Sequence, residues 1–150
     1  MEPRPRADDL RTIRMIWIAI IGGVSLMTVA FVGMTMLGIG RSMEDQGALL
    51  FYGNAAVNIV AVLAAFTTQR RMMDRLPNLG TYEQVVSAVR LAGIMSLAIM
   101  EGSALVAGLC AILSGQGVNL LFILPFFGFA ALFFPTESRF ASLLGLAGRR

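Results

Sequence analysis

The fold class this sequence predicts is an all-α polytopic membrane protein: four transmembrane helices in an antiparallel bundle, plus a short C-terminal amphipathic helix. Three observations predict it. The 150 residues are 57% hydrophobic and only 14% charged, whereas soluble domains are about a quarter charged. The mean hydropathy is +0.75. The apolar residues fall into four blocks, residues 15–40, 47–68, 91–113 and 118–134. Crossing about 30 Å of hydrocarbon takes roughly 17–25 residues, and the fourth block sits at the short end. Hydrocarbon offers backbone groups no water, so spans of this length are helical. The chain 1–150 reads as a single membrane domain with tails 1–14 and 135–150 and no soluble domain.

The first block is read as an uncleaved signal anchor. Its basic flank suits a signal peptide, but its apolar run is too long and no small-x-small cleavage site follows. Residues 1–7 hold two prolines and two arginines and read as a disordered tail. Asp8 or Asp9 is expected to cap the first helix. Trp17 suits a membrane interface. Gly38 and Gly40 are expected to end the first helix, and the short loop 41–46 predicts that the first two spans are antiparallel neighbours.

The second span carries Asn54 and Asn58, four residues apart and so on one helix face. Beyond it, Pro77, Asn78 and Gly80 predict a turn. Thr81 followed by Gln84 is a capping-box pattern, which starts the third helix near Tyr82, ahead of its span. Residues 82–113 would measure about 48 Å, so the first turns stand outside the hydrocarbon, with Val85, Val86 and Val89 giving them an apolar side. In the fourth span Pro125 cannot donate a backbone hydrogen bond. It frees the carbonyl of Leu121 and predicts a kink. After Pro135, the residues Phe140, Leu143, Leu144 and Ala147 repeat at helical spacing, which predicts an amphipathic helix lying on the inner leaflet.

Charge sets the expected orientation. All twelve basic residues are arginine, and the net charge is +3. Eleven flank one side: Arg4, Arg6, Arg11, Arg14, Arg70, Arg71, Arg75, Arg90, Arg139, Arg149 and Arg150. Arg41 stands alone on the other. The positive-inside rule then places both termini in the cytoplasm of a bacterial inner membrane. Arginines that flank spans imply no nucleic-acid partner.

The residue that stands out is Glu101, at the middle of the span 91–113. A charge at that depth costs roughly 2.5–3.5 kcal/mol on insertion scales. It must stay protonated and hydrogen-bonded, or hold a cation. In the first span Ser25, Thr28, Val32 and Thr35 make a weakly polar face, and Ala98, Gly102 and Ser103 allow close helix approach. A midplane cluster of Glu101, Asn58 and Thr28, with Asn54 toward the outside, is the candidate ion- or proton-binding site.

The stretch LAIMEGSALVAGLCAIL resembles the carboxylate helix of the rotary ATP synthase c subunit, a helix with a mid-membrane acid amid small and branched residues. Arg70, Arg71, Arg75 and Pro77 lie where that hairpin has its basic loop. The resemblance implies that Glu101 is an ion-binding carboxylate and that Asn58 is an amide ligand. It covers about 25 residues. The dense glycine repeat of that family's first helix is absent, since residues 47–68 contain only Gly47 and Gly53. The whole chain is similar to small uncharacterised bacterial four-helix inner-membrane proteins, with Glu101 in span three and FFPTESRF after span four.

Histidine is absent and Cys110 is the single cysteine. The usual zinc, haem, triad and phosphate-loop chemistries therefore have no residues to build on. No cofactor and no metal are expected. Met34, Met36 and Met43 are read as helix-packing residues rather than copper ligands. The expected function is a non-enzymatic structural or accessory component, in a homo-oligomer or a larger membrane complex. The alternatives are a proton- or sodium-handling subunit using Glu101, and a bundle that binds a lipid or hydrophobic ligand in a cavity opened by Pro125 and small residues.

Overall fold

The computed structural model describes residues 6–79 and 81–147, and the side chains of all of these except Leu146 and Ala147. Residues 1–5, Gly80, Arg149, Arg150 and the Ala147 side chain, on which some expectations above rest, lie outside the described residues. Within them there are five α-helices and no strand: α1 (Ala7–Met36), α2 (Gly47–Arg75), α3 (Tyr82–Ser114), α4 (Leu124–Phe133) and α5 (Glu137–Ala147). Shorter 3₁₀ segments cover Glu44–Gln46, Leu76–Asn78 and Gly117–Ile123. By length and composition α1, the stretch Glu44–Asn78 and α3 can each cross a membrane. Gly117–Phe133 with Glu137–Gly145 adds a fourth candidate, bent by 66°.

The capping box forms as the sequence predicts: the Thr81 hydroxyl accepts from the Gln84 N–H, the Gln84 side chain accepts from the Thr81 N–H, and α3 begins at Tyr82. Gly115 ends α3 in the left-handed region at φ 67°. Gly38 and Gly40, also at positive φ, follow the end of α1. The start of α1 differs from expectation. Arg6 is its N-cap and makes no side-chain cap bond. Asp8 and Asp9 fall inside the first turn, where their charge opposes the helix dipole. Asp9 accepts from the Tyr82 hydroxyl (3.1 Å) and faces Arg90 (3.8 Å).

The packing order also differs. α3 is the centre of the bundle, with α1, α2 and α4 all packed against it, while α1 and α2 barely meet. In its most apolar window 56% of α3 is buried, against 11% of α1. The linker explains why consecutive helices are not neighbours. α1 ends at Met36, so residues 37–46 are free to run across the end of α3, and the Met43 N–H donates to the Leu113 carbonyl there (3.0 Å).

α1 touches α3 along a narrow heptad stripe. Leu10, Ile13, Trp17 and Val24 are buried, and Ile20, Met27 and Phe31 pack beside them. This a/d spacing is the seam of a left-handed helix pair. It closes where α3 has no side chain: Trp17 lies against Gly93, and Phe31 fills the space a Cβ at Gly108 would need.

Pro125 does not kink an α-helix. The seven residues before Leu124 wind as 3₁₀, and the Leu124 N–H donates to the Leu121 carbonyl, the group expected to be left free. Proline then sits in the first turn of α4, where its missing N–H costs nothing. The tighter winding has a use. Seven residues at about 2 Å and ten at about 1.5 Å reach about 29 Å, where one α-helix would reach about 26 Å. α5 keeps its predicted stripe but turns it to the protein: Phe140, Leu143 and Leu144 are buried, against α3 and Leu76–Asn78.

Candidate functional site

The two asparagines of α2 sit in its buried stripe, Asn54 and Asn58 being 1% and 3% exposed. They are bonded in series. The Asn58 amide donates to the Asn54 carbonyl (3.2 Å) and Oδ1 (3.0 Å). The Asn54 amide donates to the Asn119 carbonyl (3.3 Å) and Oδ1 (3.1 Å). Asn119 donates to the Ser114 hydroxyl (3.2 Å), which donates to the Cys110 carbonyl (2.6 Å). All four polar side chains are buried. The chain ties α2 to the 3₁₀ segment and to the end of α3. At its inner end Asn58 Oδ1 is buried without a partner.

Glu101 is half-buried, and it is not part of that chain. Among the described residues the ion pairs are Arg6–Glu83 and Arg90–Asp9, and Glu101 has no hydrogen bond. Helix phase shows why. Ser96 and Gln69 set the α2–α3 register: the Ser96 hydroxyl donates to the Ala65 carbonyl (3.3 Å), and the Gln69 amide donates to Ser96 (3.3 Å) and to the Ala92 carbonyl (3.5 Å). The same antiparallel register places Asn58 level with Ser103. Glu101, two residues before Ser103, lies about 160° around α3 from it.

The acid is instead on the α1 side. It is eight residues after Gly93 and seven before Gly108, the two glycines that receive Trp17 and Phe31. α1 and α3 run parallel in that register, so Glu101 is level with Val24 and Ser25. Thr28, one turn further on, donates back to the Val24 carbonyl within its own helix (2.8 Å), as Ser25 does to Ile21 (2.7 Å). The expected cluster of Glu101, Asn58 and Thr28 is thus not held together by hydrogen bonds. The amides and the acid occupy opposite sides of α3.

Two groups escaped the sequence reading. Asn119 and Ser114 complete the asparagine chain. The visible signal was an amide in a nearly apolar span and a serine at a helix end, which pass as loop residues until α2 is placed beside them. The chain matches no family model, no curated protein and no solved structure among known proteins.

Proposed function

We propose that this chain is a non-enzymatic integral membrane protein of a bacterial inner membrane, with both termini in the cytoplasm, acting as an accessory component that assembles through its α1–α3 face. The observation that carries this reading is Glu101, half-buried at the midpoint of a membrane helix with no partner among the described residues. Ionisable groups at that depth pair with something. Apolar surface is uncovered on the outer side of α1: Leu26 and Val29 are 75% and 71% exposed, and a Cβ on Gly22 or Gly23 would meet nothing within 4 Å. Small residues of this kind let a further helix approach closely. A second copy supplies the simplest complement, because a protonated carboxyl both donates and accepts and can pair with its own symmetry mate.

The proton- or sodium-handling reading has less support, because Glu101, Asn58, Asn54 and Thr28 do not converge. The test is energy transfer between labelled copies in liposomes at varied dilution. Wild type is expected to associate, Glu101→Gln to keep most of that association, and Glu101→Leu to lose it about tenfold. Association untouched by Glu101→Leu, or a wild type that stays monomeric, would overturn the reading. A hydrophobic carbodiimide should label Glu101 faster in the diluted protein. Labelling suppressed by sodium at every dilution would favour the cation reading instead.

A further inference from the structure

All five helices meet around a cavity of about 460 Å³ at the arginine-bearing end of the bundle. That volume is within the roughly 300–1,000 Å³ of ordinary ligand sites. Its walls are apolar and aromatic, with Trp17, Phe66, Met72, Phe133, Phe140 and Leu143 among them. Its polar atoms are mostly donors, and its lining includes no carboxylate. Arg70 lines it and has no hydrogen bond, ion pair or ring contact among the described residues. Arg139 stands over the Phe133 ring at 4.8 Å and donates one N–H to the Leu132 carbonyl, which leaves further donors free. Trp17 is only 3% exposed. Its indole N–H has no acceptor among the described residues and lies in the notch at Gly93, where a Cβ would stand 3.2 Å from Nε1.

An apolar chamber with unsatisfied donors and a double-cationic rim fits an amphiphile with an anionic head. We propose that this cavity binds an anionic phospholipid, with its phosphate between Arg70 and Arg139 and an acyl chain against the aromatic wall. Basic pockets between membrane helices on the cytoplasmic side take anionic headgroups. The proposal rests on the membrane placement given above and not on the Glu101 contact. It differs from the sequence expectation in position: the cavity is bounded by Pro135, at the bend before α5, rather than by Pro125.

The experiment is native mass spectrometry on the delipidated full-length chain. The probes are phosphatidylglycerol, phosphatidylcholine and glycerol phosphate, which carries the head without the chains. One phosphatidylglycerol per chain is expected to survive, with the other two held at least tenfold more weakly. Arg70→Gln with Arg139→Gln should lower that affinity roughly tenfold or more. Arg71→Gln changes the neighbouring exposed arginine, which does not line the cavity, and should lower it less than twofold. Met73→Trp alters a half-exposed lining residue and should block binding while the fold is kept. Equal loss from Arg70 and Arg71 variants would mean surface attraction only. Equal retention of phosphatidylcholine would mean an unselective apolar groove, and equal binding of glycerol phosphate a free-phosphate site. Each of these overturns the proposal. A chain that self-associates but retains no lipid loses this inference alone.

Discussion

α3 carries two seams, and they are built differently. Against α2 the seam is the more extensive one, built from small side chains and bonded. Ala61 and Ala65 let the backbones approach, and across the gap the Gln69 amide donates to Ser96, whose hydroxyl donates to the Ala65 carbonyl. Against α1 the contact within the apolar stretch is shape alone: rings of Trp17 and Phe31 enter the spaces of Gly93 and Gly108. Polar pairing between α1 and α3 is confined to the arginine-bearing end, in Tyr82–Asp9, Arg90–Asp9 and Arg6–Glu83. Buried hydrogen bonds fix a register, since a slip leaves donors unmet. Ring-in-notch packing fixes distance, since any added atom forces the helices apart. Hence the α2 seam pairs its polar groups, Asn58 Oδ1 excepted, whereas the α1 seam leaves Glu101 at its edge unspent.

The largest effect is expected where shape alone holds. Gly108→Leu forces the Phe31 ring out of its notch. Overpacking of this kind costs about 1–3 kcal/mol, and the absence of any flexible tip to yield places it near the upper end. Thermal unfolding in detergent measures it. Gly102→Leu is the control six residues earlier, with nothing within 4 Å. It should change stability by less than about 0.5 kcal/mol. Similar losses from both would mean that α1 does not rest on α3 in this way.

Asn54→Leu comes next and attacks the bonded seam. It removes the bonds to Asn119 and strips Asn58 of the acceptor Oδ1. Leaving buried donors and acceptors unmet costs about 1–3 kcal/mol, and membrane surroundings favour the lower half of that range. Asn54→Gln should recover little, because the longer amide misses Asn119. A neutral Asn54→Leu would remove the polar network as the reason for the α2 register.

These differences also show what the chain reveals before folding. The helices were legible because length and hydropathy set them locally, and the Thr81–Gln84 box fixed one boundary to the residue. Which helix packs on which was not. From Trp17 onward the stripe Trp17, Ile20, Val24, Met27, Phe31 is flanked by residues almost as apolar, so its heptad period is hidden in the composition. Glu101 was legible as an acid at the middle of an apolar run. Its direction was not, because direction depends on the phase of α3 relative to two neighbours that only tertiary packing selects. The same holds for Asn119, whose partner Asn54 is 65 positions away in sequence.

The smallest expected effect sharpens the comparison most. Gln69 and Ser96 are the polar pair that crosses the α2–α3 seam, and a double-mutant cycle of Gln69→Ala and Ser96→Ala isolates their coupling. Such bonds in membrane bundles average about 0.6 kcal/mol. The Gln69 amide keeps the Ala92 carbonyl when Ser96 is truncated, so the coupling should not exceed that figure. No pair of that kind joins α1 to α3 in the apolar stretch, so a matching cycle between Phe31→Ala and Gly108→Ala should show steric rather than polar coupling. Its sign follows from geometry: with the Phe31 ring removed, the space at Gly108 is open and Gly108→Ala is better tolerated. Coupling near zero in the first cycle together with none in the second would leave apolar packing as the common cause of both seams. A coupling near 0.6 kcal/mol in the first and a relieved clash in the second would establish that one helix is gripped by two different physical means.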